Sequence, residues 1–141
     1  MRSDYTILVS DHYPTTCAFI VEALASEGYR VVCRPDPDVT VEDIRAVRPD
    51  LVILELRRVD QDQTLLLLDQ IRRLEATRAT PMLVTSTDPR LLHKLAMPLQ
   101  HLDCVTLAKP FALDQLLEYV VQALGSPRTH PGEERNELAY D

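Results

Sequence analysis

Four apolar runs in this chain each end in a side chain capable of chemistry. Ile7-Leu8-Val9 leads into Ser10-Asp11, and Leu51-Val52-Ile53-Leu54 into Glu55. Met82-Leu83-Val84 leads into Thr85, and Val105-Thr106-Leu107-Ala108 into Lys109-Pro110-Phe111. The ends supply carboxylates, hydroxyls and an amine. Read as parallel strands, the runs bring these groups to one edge of one sheet. In open α/β sheets that carboxyl edge is where ligands bind. Lysine is scarce here: Lys94 and Lys109 are the only two among fifteen basic residues. Where arginine is the default cation, a lysine at a strand end stands out.

The elements that must position these groups alternate along the chain. Strands are expected at Tyr5–Val9, Tyr29–Cys33, Leu51–Leu56, Pro81–Thr85 and Cys104–Ala108. The third is apolar without alternation, as a strand covered by helices on both faces must be. Helices are expected at Thr15–Ser26, Thr40–Val47, Thr64–Glu75, Pro89–Met97 and Leu113–Leu124. The first has Phe19, Ile20, Ala23 and Leu24 on one face and Gly28 as its stop. The second opens on a capping box, Thr40-Val41-Glu42-Asp43. The third carries Leu67, Ile71 and Leu74 as its inward stripe. The fourth starts on Asp88-Pro89 and is stopped by Pro98. The last has Leu113, Leu116, Leu117, Val120, Val121 and Leu124 at helical spacing. Five βα units in sequence imply a doubly wound sheet with right-handed crossovers.

One domain is expected over residues 1–125, with residues 126–141 as a polar, flexible tail. No output domain is expected after it. The formal charge of −7 argues against binding to a nucleic-acid backbone. No run approaches the roughly 18 apolar residues of a membrane span, and no signal segment opens the chain. A soluble, cytoplasmic protein is the expectation. Cys17, Cys33 and Cys104 are odd in number and widely spaced, so they read as small buried thiols rather than a disulfide framework. The four histidines show no metal-ligand spacing. Arg57-Arg58 and His12 read as solvated loop residues.

Over residues 5–124 the chain resembles the response-regulator receiver family. The resemblance rests on Lys109-Pro110-Phe111 after the fifth strand, on Pro49-Asp50-Leu51-Val52-Ile53-Leu54 entering the third, and on the five-fold βα spacing. It implies a flavodoxin-like five-stranded parallel sheet of order 2-1-3-4-5, flanked by five helices. In such receivers two acidic residues after strand one help hold Mg²⁺. An Asp ending strand three takes the phosphoryl group. A Thr or Ser and a Lys contact the phosphoryl oxygens. Asp11, Thr85 and Lys109 fit these positions. Ser10 stands in place of the first acid, Glu55 in place of the phospho-acceptor, and Thr106 where an aromatic switch residue is common.

The departures have physical consequences. The Glu55 carboxylate reaches roughly 1.5 Å further than that of an Asp. A misplacement of about 1 Å can cost on the order of 10²-fold in rate. Mg²⁺ demands near-octahedral oxygen ligands. With Asp11 and Glu55 as the remaining acids, at most weak Mg²⁺ binding is expected, and no other cofactor. Glu55 could instead reach Lys109 and Thr85 and form an ion pair that fixes one state, activated-like or inactive. It could also merely cap the sheet edge beside an arginine. The expectation is a non-enzymatic, phosphorylation-independent docking module that meets a histidine kinase or a downstream signalling protein. The segment Pro89–Met97, the fifth strand and the last helix are its partner or homodimer face. A working phospho-acceptor receiver and a flavodoxin-like small-ligand module are the alternatives. With three glycines in the chain and Asp11-His12-Tyr13-Pro14 after strand one, no glycine-rich phosphate loop supports the latter.

Overall fold

The computed structural model describes residues 5–34 and 39–125; the expected tail at residues 126–141 lies outside the described residues. Five strands form one parallel sheet: β1 (Thr6–Ser10), β2 (Arg30–Arg34), β3 (Leu51–Glu55), β4 (Met82–Ser86) and β5 (Cys104–Ala108). Their order is β2-β1-β3-β4-β5. The helices are α1 (Pro14–Ser26), α2 (Val41–Val47), α3 (Gln61–Arg73), α4 (Pro89–Lys94), α5 (Ala96–His101) and α6 (Leu113–Leu124). A single 3₁₀ turn, Arg58–Asp60, precedes α3.

The unbroken apolar runs are explained by two cores, one on each face of the sheet. Successive strand side chains point to opposite faces. Ile7, Val9, Leu51, Ile53 and Leu83 therefore pack with Cys17, Ile20 and Leu24 of α1 and Leu116 and Val120 of α6. Leu8, Val52, Leu54, Met82 and Val84 pack with Ile44, Leu68, Ile71, Leu91, Leu92 and Leu99 from α2 to α5. Burying a Leu, Ile or Val contributes about 1.5–3 kcal/mol each. The register that makes these cores also aligns the strand ends: Ser10 faces Leu54, and Glu55 faces Thr85.

Local signals act as the sequence suggests at the starts of α2 and α4, where Asp88 is the cap, and at the end of α1. The Thr40 side chain accepts from the Asp43 amide while the Asp43 carboxylate accepts from the Thr40 amide. These bonds hold the Asp43 carboxyl below its ordinary range, the Thr40 amide contributing most. Gly28 sits at φ +98° just after α1, a conformation that glycine adopts without a Cβ clash.

Elsewhere the structure corrects the sequence reading. Three of the five strands, β1, β2 and β4, sit one residue later than expected, β3 ends one residue sooner, at Glu55, and β5 has the expected bounds. Pro98 does not stop the fourth helix. The break comes at Leu95, and Pro98 lies in the first turn of α5, where a helix has no intrahelical use for its amide. The buried face of α1 is Cys17, Ile20 and Leu24, while Phe19 is exposed. In α3, which starts at Gln61, Leu68 and Ile71 are buried and Leu74 falls just past its end. Cys17 and Cys33 are not free thiols: they form a disulfide between α1 and β2, with Cα atoms 6.8 Å apart. Only Cys104 remains free, its thiol pushed up to about 11, chiefly by burial.

Leu8 lies at the centre of the α2–α5 core, fully buried. Leu8→Ala is expected to cost about 2–5 kcal/mol, read as a lower urea midpoint with an unchanged slope.

Candidate functional site

Three loops converge where β1, β3 and β5 end. Each strand's last backbone bonds set its side chains in place: the Leu56 amide donates to Thr85 O at 2.7 Å and the Lys109 amide to Ser86 O at 2.8 Å. The Lys109 ammonium then lies between two carboxylates. Its Nζ donates to Asp11 Oδ2 at 2.8 Å and to Glu55 Oε2 at 3.1 Å. All three side chains are buried, at 7% exposure for Lys109, 2% for Asp11 and 4% for Glu55.

The other two carboxylate oxygens are also engaged. The His12 amide donates to Glu55 Oε1 at 2.7 Å, and the Tyr13 amide donates to Asp11 Oδ1 at 2.8 Å. The second is an Asx turn, the local bond that Asp forms with backbone two residues on. Each of the four oxygens thus has a donor. The Tyr13 ring covers the ammonium, its centroid 5.3 Å from Nζ, close enough for a cation–π contribution. Thr85 is buried alongside, and its hydroxyl has no hydrogen-bond partner among the described residues.

Two further ion pairs shape the rim. Arg57 binds Asp60 at 2.6 Å, and Arg58 binds Asp88 at 2.7 Å. The hydrogen bond to Asp60 raises the Arg57 guanidinium above its ordinary range. Asp88 also caps α4, accepting from the Leu91 amide at 3.1 Å. Arg58 therefore ties the β3–α3 loop to the start of α4. The cavity beside Glu55 holds about 20 Å³ and is bordered by Ser10, His12, Arg57 and Asp60. That is room for about one water, which needs roughly 10–15 Å³ by this kind of measure.

No family model and no curated protein matches the sequence. Solved structures do. The N-terminal domain of a response regulator receiver protein from Methanoculleus marisnigri is 28% identical, over 86% of this chain and 98% of that one, with a TM-score of 0.59. A response regulator from Thermotoga maritima is 26% identical over 86% and 98%, with a TM-score of 0.64. The chemotaxis response regulator CheY4 of Vibrio cholerae is 20% identical over 85% and 98%, with a TM-score of 0.73.

The chain has the fold of these response-regulator receiver domains. Of the receiver positions singled out in the sequence, the structure brings Asp11, Glu55 and Lys109 into contact, with Ser10 and Thr85 buried beside them. Thr106 is not brought in; it lies exposed on the edge strand β5. Glu55 pairs with a lysine rather than an arginine. Sequence reading missed the His12 and Tyr13 amides and the Tyr13 ring. It also set Arg57 and Arg58 aside as solvated when both are paired. The Asp-x-Tyr spacing was the available signal for the turn; no local signal links Arg58 to Asp88, thirty residues away.

The receiver fold implies Mg²⁺, and the donor set here does not fit it. The two carboxylates already share an ammonium, and every one of their oxygens has a donor. Ser10 supplies no third carboxylate. Among the described residues no three His, Cys, Asp or Glu side chains group as metal ligands.

Lys109→Met leaves two buried carboxylates unpaired and is expected to cost about 3–5 kcal/mol in urea denaturation. Glu55→Gln leaves the Lys109–Asp11 pair and is expected to cost clearly less. The Arg58 hydrogen bond, and then the Leu91 amide, hold the exposed Asp88 carboxyl below its ordinary range. A lowered carboxyl contributes stability above its unfolded value and loses it as pH falls through the folded one. Arg58→Ala is expected to raise the Asp88 titration midpoint, followed by carboxyl NMR.

Proposed function

We propose that this receiver works as a phosphorylation-independent docking module in two-component-type signalling. It is not an enzyme on this reading. It acts in the cytoplasm and is recognised by a histidine kinase or a downstream signalling protein. The observation that carries the reading is the Lys109 ammonium shared by Asp11 and Glu55 at the end of the sheet. In a standard receiver the matching lysine contacts the phosphoryl oxygens. Here a carboxylate of the chain itself already supplies the anion. The pair holds the domain in one arrangement whether or not a phosphodonor is present.

Exposed apolar side chains support docking. Met97 of α5, Val105 of β5 and Leu113 and Val121 of α6 are all exposed, on the elements expected to form a partner or homodimer face. Among the described residues no helix is long and apolar enough to cross a membrane.

The test is intact mass after incubation with a small acyl phosphate and Mg²⁺. The native chain is expected to gain no phosphoryl group. Glu55→Asp frees one end of the Lys109 pair and shortens the acid, and Ser10→Asp with Glu55→Asp restores the third carboxylate. Phosphoryl gain is expected in the double variant and to a lesser extent in the single one. A stable gain in the native chain would replace this reading with that of a working phospho-acceptor.

A further inference from the structure

The disulfide between Cys17 and Cys33 lies one helical turn from the ion-pair site. The Cys17 amide donates to Tyr13 O at 3.0 Å, the first bond of α1. Tyr13 in turn covers Lys109 with its ring and donates its amide to Asp11. On the other side, Cys33 stands on β2 in register with Val9, two residues before Asp11. The bridge therefore fastens the start of α1 to the sheet just where the β1–α1 loop supplies the site's lid and one of its carboxylates.

We propose that this pair is a reversible thiol–disulfide site that positions the β1–α1 loop, so that its redox state sets how tightly Lys109 is enclosed. The two cysteines differ in exposure. Cys17 is 2% exposed, whereas Cys33 is partly exposed on an edge strand. A dithiol reductant attacks through its thiolate at Cys33 Sγ. A new S–S bond forms there, the Cys17–Cys33 bond breaks, and Cys17 leaves as a thiolate that takes a proton. The second thiol of the reductant then displaces Cys33, which is protonated in turn. Two electrons and two protons pass to the protein, and the dithiol becomes a cyclic disulfide. In a reducing compartment a disulfide of this kind is transient or redox-sensing rather than permanent. Reduction frees α1 to move away from β2, and the Tyr13 ring loses its anchor. Cys17 and Cys33 are positioning residues here; neither touches Lys109.

The chain carries its own control for the test. Lys94 of α4 is exposed and Lys109 is enclosed, and there is no third lysine. The full chain, purified in air, is alkylated without reduction; one modified cysteine, Cys104, is expected. The protein is then labelled with an acetylating ester, with and without prior dithiothreitol, and the two lysines are compared by peptide mass. Reduction is expected to raise the Lys109 rate relative to Lys94 on the order of tenfold, as a local opening would. Closing a loop of sequence separation 16, the bridge should also raise Tm by roughly 10 °C. The Cys17→Ser, Cys33→Ser double variant should show the reduced rate with or without dithiol. Reduced wild type with retained circular dichroism serves if that variant fails to fold. A fall in Tm with no change in the Lys109-to-Lys94 ratio overturns the proposal, leaving a plain staple. Three alkylated cysteines in the unreduced chain overturn it as well. The readout uses no phosphodonor and no partner, so it stands or falls apart from the docking reading.

Discussion

An ammonium shared by two buried carboxylates is the constraint on which this site depends. Taking three charges out of water is costly, and the attraction among them offsets that cost only if the geometry is good and the remaining lone pairs are satisfied. Both conditions hold. Lys109 reaches each acid within 3.1 Å, and the His12 and Tyr13 amides bind the two oxygens that the lysine leaves. The β1–α1 loop is therefore not a neutral connection. Its backbone conformation is part of the charge balance, and any rearrangement of the loop would expose carboxylate oxygens without donors in a low-dielectric setting. A buried pair of this kind is better understood as specifying one arrangement than as adding net stability.

The parallel sheet explains why groups so far apart in sequence meet. Asp11 and Lys109 are separated by 98 residues, Glu55 and Lys109 by 54. Each follows or ends a strand of the same sheet, and the strands run the same way because helices return the chain over its faces. The two apolar cores set the register, and the register sets the edge. The rim pairs act at a second level. Arg58 fastens the β3–α3 loop to the cap of α4, so the loops on either side of the cluster are themselves fixed to helix ends.

Much of this was legible in the chain. The strand runs, the unalternating β3, the α2 capping box and the apolar face of α6 all rest on local pattern, and each has its element in the structure. The strand ends alone pointed to Asp11, Glu55, Thr85 and Lys109 as neighbours. What could not be read was of another kind. Pro98 looks like a stop, but a proline in a first turn is tolerated, and tertiary packing of Leu95 and Leu99 in the same core decided where the helix breaks. Phe19 has the spacing of an inward residue, but Cys17 and Ile20 hold the buried face. The disulfide needs two elements brought together in space, which spacing along the chain does not reveal. The pairing of Arg58 with Asp88 is equally non-local.

Two of the three departures from the receiver pattern, Ser10 and Glu55, also become one. A receiver with two acids after strand one and an Asp ending strand three carries three carboxylates against one lysine, an excess that a divalent cation is suited to balance. With Ser10 in place of the first acid, two carboxylates remain. The extra methylene of Glu55 lets its carboxylate reach the lysine that Asp11 also holds, while its other oxygen meets the His12 amide. Removal of charge at residue 10 lowers the demand for a metal, and added length at residue 55 lets the lysine serve both remaining acids. Together they close the cluster on itself, leaving a net charge of minus one and a cavity of about 20 Å³ beside it. The hydroxyl of Thr85 is buried beside the cluster without a partner among the described residues.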